Sequence, residues 1–136
     1  MHPTIKAGLM GTWAVHLKRK LQRVDINNPY SFEADDLVHH VKQGLRFFDD
    51  YQGRLAEKIG KDLFDKQLSF YSEVHAPKDY MREERLERAA ELGQAMMEIM
   101  KEDYQAMIKT DDWLELPIDY RKTLNVALGG LDVYPG

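Results

Sequence analysis

Two stretches of this chain carry apolar side chains at alternating steps of four and three residues, and no other feature restricts its fold so severely. In the first, Ala34, Val38, Val41, Leu45, Phe48, Gln52, Leu55 and Ile59 form a heptad seam interrupted only by Gln52. In the second, Leu86, Ala90, Gly93, Met97, Met100, Tyr104 and Met107 repeat the pattern. Such steps gather side chains on one face of an α-helix but scatter them over both faces of a strand. Both stretches are therefore expected to be long helices, over about 31–59 and 79–109. Leu37, Phe47 and Tyr51 widen the first apolar arc beyond a two-helix seam, so that helix is expected to meet two neighbours. Gly44 and Gly53 each cost about 1 kcal/mol relative to alanine inside a helix, which places a kink or break near Gly53. On the second helix the small residues Ala89, Ala90 and Gly93 admit a close partner.

The rest of the chain reads as shorter helices and turns. Ile5, Leu9, Trp13, Leu17, Leu21 and Val24 recur at steps of four, four, four, four and three, predicting a helix over residues 4–24. Asp25 to Pro29 reads as a turn, and Ser31 or Asn28 as the cap of the helix that follows. Gly60 suits a helix end, after which Leu63, Phe64, Leu68, Tyr71 and Val74 mark a short helix stopping before Pro77, with Asp79 as the next cap. Thr110, Asp111 and Asp112 restart the chain for a short turn containing Trp113. Pro117 opens a last helix that Gly129 and Gly130 close. No alternating strand pattern of useful length occurs. The expectation is an all-α fold, a helical bundle of four to five helices with two long central ones, forming a single domain over 1–136 with 133–136 as a loose tail.

Composition narrows the setting. With 136 residues, 43% of them apolar, the chain is long enough for one core and apolar enough to offset the ordering entropy of folding. It has no cysteine, so no disulfide framework and no thiolate metal site is open to it, and a cytoplasmic location is the expectation. The first 24 residues carry five cations and no acid, whereas the remainder carries −9, giving −4 in total. That basic stretch lacks the layout of a signal peptide, and no run approaches the ~20 apolar residues of a membrane span. His2 stands where myristoylation needs glycine.

Few residues suggest chemistry. Asp36, His39 and His40 set a carboxylate and imidazoles three and four residues apart on one helix, close enough to share a metal. Di-iron bundles use a Glu-x-x-His pair on each of two helices, and here there is one Asp-x-x-His and no second copy. His16 and His75 could complete such a site only through tertiary contact. The row Glu84, Glu87, Glu91, Glu98 and Glu102 has the oxygen chemistry to hold magnesium for an all-α nucleotide pyrophosphatase-like hydrolase. Only the Glu84 to Glu87 spacing fits that pattern, and Arg82, Arg85 and Arg88 lie among the acids as surface charge partners. There is no nucleophile elbow, phosphate loop or dinucleotide fingerprint, so neither an enzyme nor a cofactor is expected.

The basic residues Lys18, Arg19, Lys20 and Arg23 are candidates for contact with an acidic partner, nucleic acid or an anionic surface. At about 100° per residue they spread around their helix rather than forming one stripe. Trp13, Phe47 and Trp113 are candidate anchors at an interface. Met96, Met97, Met100 and Met107 read as adaptable core packing. Two long seams without a catalytic constellation point to a non-catalytic interaction or regulatory protein of the adaptor or inhibitor type, with another protein as partner and a homodimer as the accompanying expectation.

Overall fold

Ser31 begins the first of the seam helices as its sequence indicates: its hydroxyl accepts a hydrogen bond from the Ala34 N–H at 3.1 Å, satisfying one of the free donors of the first turn. The computed structural model describes residues 3–48, 50–72 and 81–129. Among them the elements are α1 (Pro3–Arg23), α2 (Phe32–Phe47), α3 (Tyr51–Ile59), α4 (Lys61–Ser72), α5 (Arg82–Met107), α6 (Asp112–Glu115) and α7 (Ile118–Leu128), with no strand. The all-α fold follows the periodicity, with more and shorter helices than the sequence suggests. Val74, His75, Pro77, Asp79, Gly130 and the tail 133–136 lie outside the described residues.

The largest departure is at the first long helix. It is two helices, and the interruption falls between Phe47 and Tyr51 rather than at Gly53, which sits inside α3 with open space where a Cβ would be. Residues 47–51 read Phe-Phe-Asp-Asp-Tyr, five consecutive poor helix formers. Phe48 leaves the helical region at φ −114° and ψ 57°, its N–H still bonded to the Gly44 carbonyl. Both Phe48 and Tyr51 are buried, and their rings stack at 5.3 Å between centroids. The seam register survives the break because Leu45, Phe48 and Leu55 all remain buried. Gly60 ends α3 at φ 91°, a backbone conformation that side chains with a Cβ rarely adopt.

The chain gathers into two compact units, one of Met1–Arg19 with Met97–Gly136 and one of Lys20–Met96. In the first, α1 buries Ala7, Met10, Gly11, Trp13, Ala14 and Leu17, whereas Ile5 and Leu9 are 57% and 43% exposed. The apolar face is thus in a different phase from the one the steps of four suggest. Four residues turn a helix by about 400°, so each such step drifts by about 40°, and Ile5 ends far around the helix from Leu21. The buried face is built from small residues instead. A Cβ on Gly8 would stand 2.9 Å from the Tyr120 ring, and one on Gly11 would stand 3.3 Å from the Leu124 and Thr123 side chains, so α7 lays its side chains directly on the α1 backbone. Met97, Met100 and Tyr104 of α5 are buried in the same unit. The Tyr104 hydroxyl donates to Asn125 Oδ1 and its ring meets Trp113 edge-on at 5.7 Å.

In the Lys20–Met96 unit, Ala34, Leu37, Val41, Leu45, Phe48, Tyr51 and Leu55 of α2 and α3 are buried, and so are Leu86, Ala89 and Leu92 of α5. Helices α3 and α4 pack against each other. Gln67 of α4 is fully buried, an exception to the apolar lining, and donates from Nε2 to Glu91.

Candidate interaction site

Arg82, the first residue of α5, lines a concavity in the Lys20–Met96 unit. Its guanidinium donates to Asp35 Oδ1 at 2.9 Å and to the Pro29 carbonyl at 3.0 Å, and it lies 5.0 Å from the centre of the Tyr30 ring. One side chain, itself only 10% exposed, therefore fixes the turn before α2, the first turn of α2 and the start of α5 in one geometry. The sequence separations are 47 and 53 residues, which is why no local pattern announces the contact. Met81, just before it, has φ 48°, a left-handed conformation uncommon for a residue with a side chain.

A surface cavity of about 220 Å³ opens beside this clamp. Its apolar lining is Pro29, Ala34, Val38 and Leu86, of which all but Val38 are buried. Its polar lining is Asp35, His39, Lys42, Arg82 and Arg85. Three permanent cations against one carboxylate give this lining +2, in a chain whose total is −4. Phe32 lies three residues before Asp35 and seven before His39, hence on the same helical face, and is 77% exposed; Tyr30 is 70% exposed. Tyr30 adjoins the pocket through Arg82, Phe32 through the helical face it shares with Asp35 and His39, and exposed aromatics of this size are enriched at docking surfaces.

The residues singled out from sequence are distributed differently. Lys18 donates to the Val126 carbonyl at 3.4 Å, near the C-terminal end of α7 where a cation is favoured, and Lys20 pairs with Asp36. Both have work within their own units, while Arg19 and Arg23 are exposed. Trp13 is buried and belongs to the core; Trp113 is half-buried against Tyr104; Phe47 is 56% exposed instead of widening the buried arc. His39 is exposed and lines the cavity, whereas His40 is half-buried. Asp36 is held by Lys20, and among the described residues no three His, Asp or Glu side chains come together as a group able to hold a metal. In the acidic row, Glu91 receives Gln67 and Arg88, and Glu87, Glu98 and Glu102 are exposed.

The aromatics Tyr30 and Phe32 were absent from the sequence candidates because Pro29 and Ser31 mark that stretch as a turn and cap, where apolar patterning carries no signal. No described helix is long and apolar enough to cross a membrane. No family model, curated protein or solved structure matches this chain.

Proposed function

We propose that this chain is a non-catalytic protein-binding module whose contact surface is the cavity beside the Arg82 clamp together with Tyr30 and Phe32. The observation that carries the reading is the pairing of a preformed pocket of about 220 Å³ with two aromatics left 70% and 77% exposed. Aromatic side chains are enriched among the residues that dominate binding energy, and a neighbouring pocket gives a partner's side chain a place to be desolvated on binding. The backbone at Met81 supports it, since a residue held in a sparsely populated conformation costs about 1 kcal/mol and such residues cluster at functional sites. The setting that goes with this reading is cytoplasmic.

Self-association belongs to the same reading. Ile5 and Leu9 are neighbours on one face of α1, both well exposed, and a second copy of the chain would cover them. A monomeric mass in sedimentation at micromolar concentration removes that part.

The test is retention of a specific partner by immobilised full-length chain, compared with Phe32→Ala, Tyr30→Ala and Val38→Arg variants whose helical content and Tm match the parent. Loss of the partner in all three supports the reading. Equal retention by all of them, or turnover of a nucleotide by the pure protein with magnesium, defeats it.

A further inference from the structure

Self-association, which rests on the reading above, acquires a definite geometry from the surface of the unit made of Met1–Arg19 and Met97–Gly136. On α1, Ile5, Leu9, Thr12, His16 and Arg19 follow one another at steps of four, three, four and three, and all five are exposed. That is the spacing of a helix–helix seam, and here it faces outward. Its first half is apolar, with the exposed Tyr120 ring lying over Gly8 beside Ile5 and Leu9, and its other end carries Arg19. Gly8 meets Tyr120, Gly11 meets Thr123 and Leu124, and Lys18 reaches Val126, so α7 runs alongside α1 in the same direction. The neighbouring acids therefore gather at the start of α1: Asp119 immediately precedes Tyr120, and Asp112 and Glu115 share a cavity lining with Pro3, Thr4 and Ala7. All three carboxylates are exposed, and neither α1 nor the rest of α7 carries another. The surface is acidic where the stripe is apolar and basic where the stripe ends.

We infer that the occupant of this stripe is a second copy of the chain, packed about a two-fold axis near Thr12 with the two α1 helices antiparallel, so that Arg19 of each copy meets Asp119 and Glu115 of the other. Thr12 lies midway between Ile5 and Arg19, so rotation about it exchanges the two ends of the stripe. At 1.5 Å per residue those ends are about 21 Å apart along α1, far enough for the two charge contacts to be independent. The aliphatic stem of Arg19 then covers Ile5 of the other copy, while Leu9 and Tyr120 pack nearer the axis. A surface with opposite charges at its two ends complements itself only when reversed; a parallel pair would set Arg19 against Arg19 and carboxylates against carboxylates. The same charges disfavour an anionic membrane or nucleic acid. Either would have to accept Asp112, Glu115 and Asp119 beside the apolar residues, and Arg19 is the only Lys or Arg of the stripe, whereas phosphate binding rewards many cations.

Sedimentation equilibrium of the full-length chain tests this, with Arg19→Glu, Asp119→Arg and an equimolar mixture of the two variants, each first matched to the parent in helical content. The parent is expected to dimerise in the micromolar range, because three apolar side chains from each copy make a small seam. Each variant alone brings like charges together at both ends of the dimer and is expected to weaken association about tenfold. In the mixture, a dimer of one copy of each variant again has opposite signs at both ends, so association is expected to return to the parental strength. A variant weakened only by a folding defect gains nothing from mixing, which keeps the comparison valid should either substitution disturb α1 or α7. Raised salt is expected to narrow the differences among all samples. Association unchanged in both variants, or a mixture no stronger than its components, overturns this geometry while leaving self-association through another face standing. A monomeric parent removes self-association itself. Neither outcome touches the cavity beside Arg82, which stands or falls with its own capture variants.

Discussion

The same substitution at two glycines seven residues apart is expected to move stability in opposite directions, and the reason is confined to the backbone. Gly53 lies within α3, exposed, with nothing within 4 Å of the position its Cβ would take. Gly53→Ala therefore adds no clash, removes freedom from the unfolded chain, and is expected to stabilise by about 0.5–1 kcal/mol. Gly60 also has open space around it, but at φ 91° and ψ 137°. A Cβ there collides with its own backbone whatever the surroundings, so Gly60→Ala is expected to cost about 1–3 kcal/mol. Against a Tm sensitivity of roughly 3–6 °C per kcal/mol for a chain of this size, the first variant should melt a few degrees higher and the second several degrees lower. Urea titration followed by circular dichroism, with the slope m checked for constancy, reads both values. If Gly60→Ala is as stable as the parent, or if Gly53→Ala loses stability, then the account of where α3 starts and ends is wrong.

Three further outcomes follow from single contacts. Ser31→Ala removes the acceptor for the Ala34 N–H and should destabilise by about 1 kcal/mol, with Ser31→Asp near parental; equal losses in both would separate the cap from the effect. The Lys20 and Asp36 side chains are 22% and 33% exposed, so a double-mutant cycle with Lys20→Ala and Asp36→Ala should give a coupling of about 0.2–1 kcal/mol, shrinking in high salt; a salt-independent coupling well above that range would count against a surface pair. Burial raises the Tyr104 hydroxyl above its ordinary 10.0, so folding favours the protonated ring: its contribution is intact below about pH 10 and is lost as pH climbs from there through the folded-state value. Ultraviolet titration should show a tyrosine component above 10.0, and Tyr104→Phe should remove that component together with its share of the alkaline loss.

Much of the architecture is written locally, and the failures are instructive. Ser31, Gly60 and Gly129 punctuate helices as their chemistry requires, and from Ala34 to Leu55 and from Leu86 to Tyr104 the two seams bury most of the residues that their spacing selects, with Val38, Gln52 and Ala90 left half-buried. Phase within a helix is less secure. On α1 a row of large residues at steps of four outweighed Ala7, Gly11 and Ala14, although small residues are what a close helix contact selects. The break at Phe48 was legible in the run of poor helix formers from Phe47 to Tyr51, but an unbroken seam masks such a run. The candidate site was the least legible part. Arg82 finds Asp35 and Pro29 only through tertiary folding, and the basic residues that stand out in the sequence at Lys18 and Lys20 are spent on a helix end and an ion pair. Sequence reveals charge density readily and the destination of each charge poorly.

The unit made of Met1–Arg19 and Met97–Gly136 draws on two stretches far apart in sequence, and this sets a clock on its assembly. Lys18 and the carbonyl it reaches are separated by 108 residues, so during synthesis at about 5–20 residues per second the first helix is made roughly 5–20 s before the last. Throughout that interval Gly8 and Gly11 lack the Tyr120, Leu124 and Thr123 side chains that lie on them in the folded unit, so this face of α1 waits uncovered for the last helix.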